Sequence, residues 1–299
     1  MSANAADGPH MALPEDAAPA SGGSPALPVA RTIADLRIRV AAWRAAGETI
    51  GLVPTMGALH AGHVSLIERA RAECRRVVAS IFVNPTQFGP SEDFTRYPRD
   101  ETADGTKLAA AGADLMFAPG VDEVYPQGFA TAVTVEGLTR GLCGPLRPGH
   151  FAGVATVVTK LLLQCLPDVA VFGEKDFQQL QVVRRTVRDL DIPVRIVGAP
   201  TVRDAYGLAL SSRNAYLSAE QLATARQLNR VLFEVADHLR RAPGDIAEAL
   251  AQGRRRRPGA GFDELDYLAV CGIAALQPLG TVARPARVLA AAWLGRTRL

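Results

Sequence analysis

From residue 50 to residue 197, short apolar runs alternate with stretches of helical periodicity, and this alternation restricts the fold more than any other feature. Ile50–Val53, Val77–Val83, Asp114–Phe117, Asp168–Phe172 and Pro193–Val197 read as strands. Stretches from about His63 to Cys74, Asp100 to Ala111, Phe151 to Leu166 and Asp176 to Asp189 read as the helices between them. A strand that is apolar throughout must be covered on both faces, and a helix after each strand supplies that cover. The expectation is an α/β fold, a doubly wound parallel sheet over about 30–200. Thr32 is placed to cap a leading helix through Ile33, Leu36, Val40 and Trp43, with Gly47 as its stop, and Pro54 is expected to end the first strand.

After Pro200 the alternation ceases. Short β-like pieces surround Leu208–Ser212, followed by a long helix from Ala219 to Arg240 and another at Asp245–Gln252. Strand candidates at Leu265–Val270 and Arg287–Trp293 complete a smaller α+β domain, expected over 201–299. Arg254–Arg257 reads as a solvated loop. Residues 1–29 hold no Lys or Arg and are rich in Ala, Pro, Gly and Ser, so they are expected to be a disordered tail.

Composition excludes several classes. Lys+Arg 33 against Asp+Glu 30 leaves +3, too small an excess to argue for nucleic acid or a membrane surface. The longest apolar run, Val288–Leu294, is far short of the ~20 residues of a membrane span. The first residues lack the basic start and apolar core of a secretory signal. Cys74, Cys143, Cys165 and Cys271 are scattered without zinc or disulfide spacing, so a reducing cytoplasm is the expected compartment.

Four blocks fall where strands give way to helices or the second domain begins. Met56-Gly57-Ala58-Leu59-His60-Ala61-Gly62-His63 follows the first strand, at the carboxyl end where open α/β sheets bind ligands. Its glycines permit close backbone approach, a helix start offers N–H groups to phosphate, and two imidazoles can stabilise developing phosphate charge. Gln87, after the second strand, pairs donor and acceptor atoms suited to a ligand with a hydroxyl and a carboxylate. Gly173-Glu174-Lys175-Asp176 and Gln179 follow a later strand; Lys175 can neutralise a triphosphate, and Asp176 can orient it or hold a metal-bound water. Leu210-Ser211-Ser212-Arg213 brings two hydroxyls and a guanidinium that can grip phosphate. Each string alone also has an ordinary structural reading: capping or surface histidines, a loop amide, residues flanking a helix start, a turn.

Together, in this order, the blocks resemble the pantothenate synthetase (pantoate–β-alanine ligase) family of the His-x-Gly-His nucleotidyltransferase superfamily. Gly141–Gly144, Arg147–Phe151 and Gly295–Leu299 extend the likeness, which runs from about Thr32 to the end. The resemblance implies a Rossmann-like nucleotidyltransferase domain with a C-terminal lid. It implies ATP-dependent joining of pantoate to β-alanine through a pantoyl adenylate, with Mg²⁺ accompanying ATP and no direct protein ligand to the metal beyond Asp176 through water. By the same likeness residues 56 to 63, Gly173, Glu174, Lys175, Asp176, Val202 (through its backbone), Leu210, Ser211, Ser212 and Arg213 hold ATP. His63 takes the position of a proton donor, His60 supports the phosphates, and Lys175 joins them as the third catalytic residue. Gln87 and Gln179 hold pantoate, Gln87 also lying near β-alanine, and Arg147 and His150 belong to the pocket wall. A homodimer is implied as well.

Ala61 departs from the charge often found there in relatives, and Pro145-Leu146 and Cys271–Ala275 are atypical. Other adenylyl-transferring enzymes, a non-catalytic nucleotide-binding module and an aminoacyl-tRNA synthetase are the rivals. The glutamine pair, the intact basic and imidazole groups, and the weak net charge argue against them in turn.

Overall fold

The structure, a computed structural model, describes residues 27–90 and 92–299, with residues 256–260 described as backbone alone. The chain opens with β1 (Val29–Ala30), α1 (Ile33–Ala45), β2 (Ile50–Thr55), α2 (Ala61–Glu73) and β3 (Arg76–Ile81). It continues with α3 (Glu101–Ala110), β4 (Leu115–Phe117), α4 (Val121–Val124), α5 (Cys143–Leu146) and α6 (His150–Cys165). Next come β5 (Val169–Gly173), α7 (Phe177–Asp189) and β6 (Arg195–Ala199). The last part holds α8 (Ala219–Arg241), α9 (Ile246–Ala260), β7 (Glu264–Gly272), β8 (Ala286–Leu294) and β9 (Thr297–Arg298).

β1 to β6 form one parallel sheet in the order β1-β4-β3-β2-β5-β6. The apolar strands are covered on both faces, as their sequence requires. Leu52, Val78 and Ala170 enter one core with Leu36 of α1, Leu161 of α6 and Leu180 of α7. Their neighbours Val53, Val77, Ala79 and Val171 enter the other, with Ile67 of α2 and Leu108 of α3. The period of two along a strand thus divides the apolar residues between the faces, each fully buried leucine or isoleucine contributing about 2 kcal/mol. β3 and β4 lie to one side of β2 and β5 to the other, so the order reverses between β2 and β5. Their carboxyl ends flank a crevice.

Beyond Pro200, α8 and α9 cover the antiparallel sheet β7-β8-β9. Val231, Val235 and Leu239 pack with Ile246, Leu268 and Val270 in a core of their own. α8 starts on a capping box: Ser218 Oγ accepts from Gln221 N–H, and Gln221 Oε1 accepts from Ser218 N–H. No helix among the described residues is long and apolar enough to cross a membrane.

Four expectations are corrected. Pro54 does not end its strand: it pairs with Ser80 inside β2. Ile50 carbonyl accepts from Asp168 N–H on the β5 side and Thr55 carbonyl from Phe82 N–H on the β3 side, so even-numbered residues face β5. The β5 ladder stops at Leu52, and the donor that Pro54 lacks has no partner to miss. Arg254–Arg257 are helical, because α9 runs on to Ala260; arginine is a good helix former and charge alone does not end a helix. α2 begins at Ala61, ahead of His63. Order also precedes Thr32: Pro28 carbonyl accepts from Met116 N–H, and Val29–Ala30 join the sheet beside β4. The remainder of the expected tail, residues 1–26, lies outside the described residues.

Candidate active site

The turn after β2 is built around a buried carboxylate. Thr55 Oγ1 donates to Ser80 carbonyl (2.7 Å) and accepts from Gly57 N–H (3.3 Å). Gly57 (φ +84°) and Ala58 (φ +51°) then turn the chain through left-handed conformations. Asp104 of α3, 1% exposed, accepts from Ala58 N–H (2.8 Å) and Leu59 N–H (2.7 Å), one oxygen each. A Cβ at position 57 would sit 3.0 Å from Asp104 Oδ2 and 3.2 Å from Ile81 Cγ2, so the turn needs glycine for space as well as for φ. Lys107, one turn along α3, donates to Leu59 carbonyl (2.7 Å). The sequence reading did not single out Asp104 and Lys107. The available signal was an aspartate on the face of a helix that also buries Leu108.

His60 is the N-cap of α2 and His63 its third residue. His60 Nδ1 accepts from Gly62 N–H (3.1 Å), and His63 Nδ1 accepts from His60 N–H (3.3 Å). The two imidazoles thus take the parts that Ser and Glu play in an ordinary capping box, with ring centroids 4.1 Å apart. With each Nδ1 accepting, the neutral rings carry their proton on Nε2 and keep that N–H as a donor. Burial first, then the positive charges of Lys175 and Lys107, lower His60 to about 4. Burial, His60 and Lys175 lower His63 to about 3. The capping role foreseen for these histidines is real, and it leaves the outer nitrogen of each available to an anion.

Gln87 ends a 3-10 turn, Pro85–Gln87, that follows β3. That turn lies hard against α6: a Cβ on Gly153 would be 2.4 Å from Thr86 carbonyl oxygen. Gln87 Nε2 contacts Met56 Sδ at 3.1 Å, tying the second block to the first. His150 supports the turn from below. Arginine has no acceptor, so Arg147 Nη1 donates to His150 Nε2 (2.9 Å), and Nδ1–H donates to Gln87 carbonyl (2.8 Å). Burial, then the Arg147 charge, lowers His150 to about 4. Arg147 in turn makes a two-pronged pair with Glu92, 2.7 Å on each arm.

At the end of β5, Lys175 Nζ lies 3.7 Å from Asp176 Oδ2, and both side chains are open to the crevice. The Lys175 ammonium, with Arg213 further off, holds the Asp176 carboxyl below its ordinary value. Gln179, half-buried, follows on α7. Glu174 turns away from this group to accept from Arg287 Nη2 of β8 (2.8 Å), whose guanidinium stacks 4.0 Å from the Phe177 ring centroid.

The second domain reaches back through its first residues. Ser212 Oγ donates to Ala58 carbonyl (3.0 Å), and Ser211 Oγ accepts from Arg213 N–H (3.3 Å). Leu210 N–H donates to Val202 carbonyl (2.9 Å). Arg213 is held by Asp93, its Nε and Nη2 lying 2.9 and 2.8 Å from the carboxylate oxygens.

A cavity of about 870 Å³ opens between the domains, and Glu174, Lys175, Asp176, Gln179, Ser211 and Arg213 line it, with Arg147 and His150. Residues 56 to 63, Gln87, Gly173, Val202, Leu210 and Ser212 do not line it; the 56–63 turn is tied by the Ser212–Ala58 bond to the residue between the lining Ser211 and Arg213, and Gln87 meets the lining His150. Among the described residues no group of three or more His, Cys, Asp or Glu could hold a metal ion.

A parallel sheet whose switch point carries a histidine-capped helix and a lysine, faced by a second α+β domain, defines the class: a His-x-Gly-His enzyme of the nucleotidyltransferase fold. Within it, the family model for pantoate–β-alanine ligase matches residues 28–299, and the chain belongs to that family. The pantothenate synthetase of Paramagnetospirillum magneticum is 58% identical over 92% of this chain and 97% of its own. The crystal structure of pantothenate synthetase from Thermus thermophilus superposes with a TM-score of 0.85 at 51% identity, covering 91% of this chain and 97% of that one. Pantoate–β-alanine ligase from Francisella tularensis, complexed with β-γ ATP and β-alanine, gives 0.74 at 33% identity, covering 92% and 96%.

Proposed function

We propose that the protein condenses pantoate with β-alanine at the expense of Mg²⁺-ATP, releasing AMP and diphosphate. The observation that carries this reading is the meeting, at the β2–β5 switch point, of the His60–His63 pair, Lys175 and the Ser211–Arg213 arm, in a member of this family. The crystallised Francisella relative, with its nucleotide and β-alanine, supports it.

In the first step a pantoate carboxylate oxygen bonds to the α-phosphorus as the bond to the β-phosphate bridging oxygen breaks, and diphosphate leaves. In the second, the β-alanine amine attacks the acyl carbon, AMP departs with the bonding electrons, and the amine gives up a proton. Neither step needs a protein nucleophile; alignment and charge stabilisation suffice. Residues 56 to 63 cradle the phosphates, with the Nε2–H groups of His60 and His63 and the Lys175 ammonium facing the developing charge. Ser211, Ser212 and Arg213 close from the other side, Gly173 and the Val202 backbone border the nucleoside, and Gln87 and Gln179 hold the acid. With no phosphate bound, His63 at about 3 gives a hydrogen bond rather than a proton at neutral pH. A triphosphate beside Nε2 raises its proton affinity, as the proton-donor role requires. Were Mg²⁺ to accompany the nucleotide, it would offset phosphate charge, and Asp176, exposed in the crevice, would hold one of its waters. Glu174 borders the nucleotide with Lys175 and Asp176, its carboxylate held at the domain junction by Arg287.

The division near residue 200, a lid function for 201–299, a homodimer and a cytoplasmic location complete the reading. The test is ATP plus pantoate with and without β-alanine. Without the amine, about one equivalent of diphosphate per site is expected and little AMP; with it, both appear continuously. An adenylylated product that retains AMP favours the rival adenylyl-transfer enzymes, and no pantoate-dependent diphosphate overturns the proposal.

A further inference from the structure

Gln87 carries a carboxamide whose two ends are chemically different, so its use depends on which end faces the ligand. The answer lies in Asn84, which is 1% exposed. Its Nδ2 faces two acceptors, Gly153 carbonyl (3.2 Å) and Gln87 Oε1 (3.1 Å). Its Oδ1 receives Thr86 N–H (3.4 Å), Thr86 Oγ1 (3.1 Å) and Tyr125 OH (2.8 Å). A backbone carbonyl on one side and a backbone N–H on the other settle the Asn84 amide without ambiguity. Because Nδ2 must donate, the Gln87 atom that meets it is the oxygen. The Gln87 NH₂ group is left against Met56 Sδ, a weak acceptor that a carboxylate or hydroxyl oxygen readily replaces.

The Tyr125 hydroxyl makes the shortest bond to Asn84 Oδ1. Burial raises the phenol above its ordinary value, so it stays protonated and donates. Its ring is fixed independently, 5.0 Å from the Phe129 ring and under the Lys160 ammonium at 5.9 Å. We infer that Tyr125 is a positioning residue which, acting through Asn84, holds Gln87 as a hydrogen-bond donor toward the acid substrate. The inference rests on the proposed pantoate-activating role and adds which atom of Gln87 recognises the acid, and what keeps it there.

Tyr125→Phe keeps the ring and its stacking but removes the donor. Steady-state kinetics of the purified full chain are expected to show the KM for pantoate raised about fivefold, with the KM for ATP and kcat within about twofold of wild type. Removing both hydroxyls, in Tyr125→Phe/Thr86→Val, is expected to raise the pantoate KM about twentyfold. A pantoate KM within twofold of wild type in both hydroxyl variants, or pantoate and ATP KM values that rise together, overturns the positioning role. A wild-type chain that releases no diphosphate with pantoate overturns the functional reading itself, and this inference with it.

Discussion

Two of the segments beside the crevice are held in opposite ways. The Met56–His63 turn is pinned by hydrogen bonds that end on backbone: Asp104 to two N–H groups, Lys107 to a carbonyl, and each histidine to an N–H. The Glu92–Asp93 segment on the other rim is pinned by side-chain ion pairs, Glu92 to Arg147 and Asp93 to Arg213. A backbone clamp around a buried carboxylate has no counterpart in a substrate, and ligand binding does not compete with it. A guanidinium already gripping a carboxylate in two-pronged fashion makes the same bonds to phosphate. The first segment is therefore preorganised, while the second can exchange partners.

The largest expected effect comes from loss of a group proposed to meet the phosphates, in the preorganised turn or beside it. Lys175→Ala is expected to slow single-turnover adenylate formation by ~10²–10³ with the fold intact, and His63→Ala to abolish most of the diphosphate burst. Near-normal bursts would reduce both to helix-start residues. Asp104→Asn attacks the clamp itself: the amide can accept one of the two N–H bonds and sets its own NH₂ against the other. A loss of about 2 kcal/mol in denaturant unfolding is expected, with a fall in kcat, although the side chain at position 104 touches no substrate.

The neutral histidines sharpen the contrast through pH. His60, His63 and His150 lie at about 4, 3 and 4, below the ~6.5 of an unfolded chain. The unfolded state therefore binds more protons as pH falls below 6.5. The contribution of each histidine is complete above that value and is lost, at about 1 kcal/mol per pH unit, as pH drops toward its folded value. Unfolding midpoints should fall from pH 7 to pH 5, and less steeply with a non-hydrolysable ATP analogue present. The smallest effect belongs to the exchangeable side. Asp93→Asn weakens the internal competitor for Arg213 and is expected to lower the ATP KM about threefold at low salt, an advantage that salt erodes. A raised ATP KM would show that Asp93 holds Arg213 ready instead of competing for it.

The same contrast governs what the amino-acid order revealed. The sheet was legible because Leu52/Val53, Val77/Val78 and Ala170/Val171 are apolar on both faces, a pattern with few other solutions. The loop histidines, Gln87 and Lys175 were legible because they follow those strands at the ends where such sheets bind ligands. Asp104 was not, since its partners are backbone groups 45 and 46 residues away, and backbone groups leave no trace in residue types. Glu174 and Arg213 were expected, by the family likeness, to hold ATP, but their partners Arg287 and Asp93 lie on distant segments that only the fold brings near. Pro54 misled because a strand position facing an ended ladder looks, in sequence, like any other.

The most direct test is a crystal structure with a non-hydrolysable ATP analogue and Mg²⁺. The phosphates are predicted within hydrogen-bond distance of both histidine Nε2 atoms and Lys175 Nζ, with the 56–63 turn unmoved and Arg213 transferred from Asp93 to phosphate oxygen. A triphosphate bound away from the two histidines, or a 56–63 turn that rebuilds itself on binding, would contradict the account.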